Sequence, residues 1–183
     1  RYPRIADGTL VDLTTFRKHF PQIPGVELPT QLYRPLRLDP GPSWDTDGIA
    51  TAVPPIVGPA FQTLVPAVDQ DGNELAGIRL PDVEVPLATY MGWNLRAQQY
   101  GAAGVLAGLH GSYIELPKTL DERREANDPR LSIHERYPTR EVYLAKYADA
   151  VLNLRKDGFL LEEDALELLE QAAARKLWSP NIP

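Results

Sequence analysis

Cysteine is absent from this 183-residue chain, methionine occurs once, and histidine occurs three times. Without a thiol there is no disulfide, no thiolate nucleophile and no cysteine-ligated zinc. His19, His110 and His134 are scattered, with no H-x-H or H-E-x-x-H spacing, so no metal site is predicted and no cofactor is implied. Cations are also in the minority. Lys and Arg number 19 against 25 Asp and Glu, for a net charge of -6, and basic residues occur only in short pairs such as Arg123-Arg124 and Arg155-Lys156. Nucleic acids and anionic membranes reward clustered Lys and Arg, so neither is an expected partner. No apolar run approaches the ~18 residues of a membrane span, and no signal-peptide pattern opens the chain.

What is present is a composition able to fold. Apolar residues make up 43%, and a chain of this length buries about 70% of the surface its unfolded form exposes. The expectation is one module over residues 1–183. Proline is abundant at 18 residues, 13 of them within the first 86. The opening "RYPRIADGTLVD" has no initiator Met and reads as the interior of a longer protein.

Residues 1–62 are predicted to be mainly extended and turned, because closely spaced prolines remove backbone donors and push preceding residues out of the helical region. "GTLVDLTTFRKHFP" holds one short helix, begun by Thr14 or Thr15 and stopped before Pro21. "DPGPSWDTDG" is a surface loop. Such a segment is expected to drape over a partner surface.

Residues 63–118 come next. "TLVPAVDQDGNELAGIRL" reads as a β-hairpin turning at Asp71-Gly72-Asn73. A calcium loop is disfavoured, because Gly72 stands fourth from Asp69 rather than sixth and no spaced Glu follows. "GAAGVLAGLHGS" matches neither a dinucleotide fingerprint nor a P-loop and reads as a loop of close backbone approach.

Residues 119–178 are predicted to be helical. Thr119-x-x-Glu122 and Ser132-x-x-Glu135 are capping boxes, and Thr139 caps a long helix. That helix carries Leu144, Ala148, Val151 and Leu152 on one face and stops at Asp157-Gly158. A last helix over 162–177 carries Ala165, Leu168, Leu169, Ala172 and Ala173, making an antiparallel pair with the first. The fold class is therefore α+β: an irregular proline-rich third, a small hairpin-based sheet, and a helical end.

Chemistry is hard to find. The four serines are Ser43, Ser112, Ser132 and Ser179, none in G-x-S-x-G. "GPSWD" comes nearest, but Trp44 beside Ser43 would crowd a nucleophile elbow. His110 and Ser112 could share one side of a strand, an arrangement that seldom gives the in-line geometry of a dyad. The 25 acidic residues include no pair that spacing alone marks as catalytic. The candidate binding surface is "VPLATYMGWNLR". Here Tyr90 and Trp93 are either core residues with a polar tip or a ligand wall, beside Asn94 and an Arg96 able to bind a carboxylate or pair with a nearby acid.

The succession "PPIVGPAFQTLVPAVDQDGNELAGIRLPDVEVPLATYMGWNLR", "GSYIELPKTLDERR", "NDPRLSIHERYPTREVYLAK" and "GFLLEEDALELLEQAAARKLW" resembles the C-terminal region of large bacterial proteins described as α/β-hydrolase domain-containing. The resemblance covers nearly the whole chain and is most specific in "AGIRLPDVEVPLATYMGWNLR" and "DPRLSIHERYPTREVYL". It implies a serine nucleophile and catalytic histidine in a hydrolase core upstream, and carries no catalytic residue onto this chain. It implies that missing N-terminal core as partner, in the same protein or as a second chain; many relatives look exported, while the compartment of this chain is left open. Two readings compete with a non-catalytic hydrolase segment. One is a self-standing ligand- or protein-binding module using the Tyr90–Arg96 surface. The other is an enzyme with a carboxylate site, which would carry a buried Asp or Glu of raised pKa in a pocket.

Overall fold

The computed structural model describes residues 2–108 and 110–178. Among these, seven helices and small antiparallel sheets make an α+β arrangement, each sheet being a two-stranded ribbon. Helix α1, Leu13–His19, is capped by the Asp12 side chain, which accepts from Thr15 N at 2.8 Å. Thr14 and Thr15, expected to begin the helix, lie inside it. Aspartate at the N-cap satisfies an orphan amide and faces the positive end of the helix dipole.

The proline-rich third carries more strand than its composition suggests. Strand β1, Leu10–Val11, pairs antiparallel with β4, Val65–Pro66. Strand β2, Leu36–Asp39, pairs with β3, Ile56–Ala60, with a register shift between Leu36 and Leu38. "DPGPSWDTDG", expected to be loop throughout, holds a one-turn helix, α2, at Trp44–Asp47. Prolines occur on these ribbons because every strand is an edge, where a missing N–H can face solvent.

The predicted hairpin at 63–80 is present in minimal form. Val68 bridges Glu74, and the turn closes through Asp69 N to Asn73 O and Leu75 N to Ala67 O. Its first run is diverted to pair with β1. Gly72 takes φ of +81° at the turn, and a Cβ there would stand 2.9 Å from Thr89 Cγ2 and 3.1 Å from the Phe20 ring. A short helix α3, Pro81–Glu84, then leads to β5, Ala88–Met91, which pairs antiparallel with β6, Ser112–Glu115.

The helical end follows its caps. Thr119 caps α4, Leu120–Ala126, accepting from Glu122 N, while the Glu122 carboxylate reaches back to Lys118 N. Ser132 and Glu135 form both arms of a capping box on α5, Ile133–Arg136. Thr139 opens α6, Arg140–Lys156, and α7 spans Glu162–Ala174, three residues shorter than predicted. Contacts of Arg140 with the Ala173 carbonyl and of Arg155 with Glu162 put opposite ends together, so the pair is antiparallel.

The buried face of α6 differs from the predicted one. Tyr143, Tyr147 and Val151 are buried, whereas Leu152 is exposed. Spacing i, i+4, i+8 still describes one stripe, but it is centred on tyrosines whose rings pack well and keep a polar tip. These residues, with Val85, Leu87, Leu116, Ile133 and Tyr137, form the larger core. A second core gathers Phe16, Phe20, Ile23 and Met91 beneath α1.

Candidate functional site

The β5–β6 ribbon has two unlike faces. On one, Thr89 and Ile114 meet Arg130, a residue only 2% exposed. Arg130 is held on both sides: it ion-pairs with Asp128 at 2.6 Å and donates to Thr89 Oγ1 at 2.8 Å, Ile114 O at 3.0 Å and Glu115 O at 3.0 Å. Thr89 Oγ1 in turn donates to the Asp71 carbonyl, and Asn73 spans the same turn, donating to Ala88 O and accepting from Tyr90 N at 2.7 Å. Arg136 ion-pairs with the Asp71 carboxylate. Burial pushes the Asp71 carboxyl above its ordinary range, against the lowering pull of Arg136. This network clamps the Asp69–Asn73 turn, the ribbon and the α4–α5 segment together. Asp71 is the buried, raised carboxylate a carboxylate-enzyme reading asks for, and it is engaged by Arg136.

The opposite face of the ribbon is open. Tyr90 and Tyr113, directly opposed across the strands, meet edge to face with centroids 5.4 Å apart. They form a ridge between two cavities. One, about 550 Å³, is walled mainly by apolar side chains, among them Ala76, Ile78, Leu80 and Val83. The other, about 420 Å³, is walled by Asp82, Leu87, Glu115, Lys118, Arg175 and Lys176. Arg175 is fixed there by Asp82 at 2.6 Å and by the Tyr143 hydroxyl, with its guanidinium 5.2 Å from the Tyr147 ring centre. Burial, and then the neighbouring Asp82, keeps the Tyr90 phenol neutral far above its ordinary range.

The four predicted binding residues are thus separated. Tyr90 stands at the centre of the open face. Trp93 packs against Phe16 and Phe20 at 6.5 and 6.2 Å between centroids, as part of the second core. Asn94 accepts from its own neighbour Leu95 N, and Arg96 closes its own loop by donating to Gly101 O and Tyr100 O. Trp93, Asn94 and Arg96 do line one groove, of about 610 Å³, which also takes in Gly25–Glu27 and Gln98. Arg130, Asp128, Asp82 and Arg175 are the polar residues sequence reading missed. The Asp-x-Arg spacing in "NDPR" was visible, but its partners Thr89 and Glu115 lie 41 and 15 residues away.

No described serine hydroxyl meets a described histidine. Ser112 Oγ donates to Trp93 O and Ser132 Oγ to the Glu135 carboxylate, while Ser43 sits at the start of α2 beside Trp44. His19 Nδ1 contacts Thr15 O, His110 Nδ1 contacts Gly108 O, and His134 lies against Trp178. Ser179 falls outside the described residues. Among the described residues, no group of three or more His, Asp or Glu is placed to hold a metal ion. The Asp69–Asn73 turn is internally satisfied, with Asp69 accepting from Asp71 N and Asn73 N and pairing with Arg79. No described helix is long and apolar enough to cross a membrane.

Searches of curated proteins and of solved structures each return no match. A family model described as an alpha/beta hydrolase domain matches residues 29–170, a span running from the proline-rich third through both faces of the ribbon and into α7. With most of its length matched, the chain belongs to the alpha/beta hydrolase domain family.

Proposed function

We propose that this chain is a non-catalytic portion of a serine-hydrolase-type, esterase-like enzyme. In this reading it completes or covers a hydrolase core outside residues 1–183, in the same protein or in a second chain. One observation carries the reading: the family is a hydrolase family, yet no described serine and histidine are coupled. Acyl transfer needs a nucleophile, a base within hydrogen-bond reach and an oriented third group. The β2–β3 ribbon supports the same reading. Leu36, Leu38 and Val57 are 51%, 58% and 63% exposed, on a two-stranded ribbon of a kind marginally stable alone in water. Contiguous exposed apolar side chains of this kind mark a surface made to be covered.

A second reading, a self-standing binding module, draws on the groove shared by Trp93, Asn94 and Arg96. It requires the chain to be monomeric and to unfold cooperatively without a partner.

The test is turnover of 4-nitrophenyl acetate and butyrate by the purified chain. The proposal expects no rate above buffer, and no change in Ser43→Ala, Ser112→Ala or Ser132→Ala. Turnover that collapses by orders of magnitude in any one of these variants would refute it.

A further inference from the structure

We infer that the open face of the β5–β6 ribbon is a binding site for a small organic carboxylate with an aliphatic or aromatic body, the body lying in the Ile78–Leu80–Val83 cavity and the carboxylate reaching across the Tyr90–Tyr113 ridge to Lys118 and Lys176. This inference is independent of where catalysis resides.

Several independent features of the site agree. The two cavities, of about 550 and about 420 Å³, adjoin along the Tyr90–Tyr113 pair, so a ligand that crosses this ridge would occupy both as one trough. Their linings differ in kind. The first is mainly hydrocarbon, and Ile78 and Leu80 stand 47% and 55% exposed on its wall. The second is charged, with Lys118, Arg175 and Lys176 against Asp82 and Glu115. Asp82 is committed to Arg175, so within this lining Glu115 is the carboxylate that remains against two lysines, and the polar half has a positive surplus. Small-molecule sites have this character: mostly apolar walls with a few placed polar groups that fix orientation.

The trough is also held rigidly. Arg130 and the second core fix the back of the ribbon, and Arg175 is locked by Asp82 and Tyr143, so little ordering is needed on binding.

The probe is sodium octanoate, titrated into the protein by calorimetry, with 1-octanol as the uncharged match. Octanoate is expected to bind with Kd of about 1 mM or tighter, as its size allows, and octanol about tenfold more weakly. Ile78→Glu, at an exposed position, places a carboxylate in the apolar half, and Lys118→Glu with Lys176→Glu reverses the surplus in the polar half. Each is expected to weaken octanoate about tenfold or more, with far-UV circular dichroism unchanged. The inference is overturned if octanoate fails to bind at ten times that concentration, or if octanol binds equally well. It is overturned too if folded variants of both halves bind like the parent, whatever other partner the face then serves.

Discussion

Arg130 carries its charge into a site where almost no water reaches it, and every direction its guanidinium faces is taken. Asp128 supplies the counter-charge, while Thr89 and two ribbon carbonyls accept its remaining protons. Replacing Arg130 by Met leaves Asp128 buried and unpaired, which costs about 3–5 kcal/mol, and denaturant unfolding should show a loss of that size. Arg96→Ala removes only bonds to its own exposed loop, and the same experiment should show less than about 1 kcal/mol. Equal losses in the two variants would mean the clamp has been misplaced. Both arginines were visible in the sequence. Only the fold distinguishes them, because the partners of Arg130 come from the ribbon and those of Arg96 from the next few residues.

The tyrosines of the larger core tie stability to alkaline pH. Burial raises Tyr143 and Tyr147 from 10.0 to about 12. Their folded pKa lies above the unfolded one, so their contribution is fully present below pH 10 and is lost as pH rises towards 12. Thermal unfolding should weaken across that window, and phenolate absorbance from these two residues should appear together with unfolding. Glu135 has the opposite sign. The Ser132 amide, then its hydroxyl, holds its carboxyl below the ordinary value, so the α5 cap loosens as pH falls through that lowered pKa. A carboxyl carbon titration by NMR should place Glu135 below the ordinary glutamate value and Asp71 above the ordinary aspartate value.

At the scale of elements, the parts that sequence reveals are those decided within four residues. Thr119, Ser132 and Thr139 all cap the helices predicted for them, since a hydroxyl meets the amide three residues on whatever the rest of the chain does. The buried stripe of α6 was less legible. Counting only aliphatic residues turned the predicted face away from Tyr143 and Tyr147, and the true one emerges only when α7 and Trp178 pack on it. The β2–β3 ribbon was illegible, because its strands are joined by 16 intervening residues rich in proline and glycine, with no tight-turn signal. The hairpin at Asp69–Asn73 was readable from Gly72. Gly72→Ala must adopt a left-handed backbone and push on Thr89 and Phe20, so it should lose about 1–3 kcal/mol in an unfolding titration.

At the scale of the molecule, the β2–β3 ribbon and the tyrosine face of β5–β6 are both open surfaces. The first exposes Leu36, Leu38 and Val57 on a two-stranded ribbon, which suits a partner protein better than a small ligand. If the chain covers a separate core chain, as proposed, Leu38→Lys with Val57→Lys should leave folding unchanged while abolishing that association. Size-exclusion chromatography of the complex would check this. Membership in a hydrolase family was readable from long ordered segments such as "AGIRLPDVEVPLATYMGWNLR". The role of those segments was not, because "NDPR" and "PLATY" become one feature only when Arg130 reaches Thr89.

The most direct measurement is fluorophosphonate labelling of the native protein, followed by peptide mass mapping of every chain in the labelled particle. The label is expected on a serine outside residues 1–183, within the same particle as this chain. A label on Ser43, Ser112 or Ser132 would contradict this expectation, placing the nucleophile among serines whose hydroxyls meet no histidine.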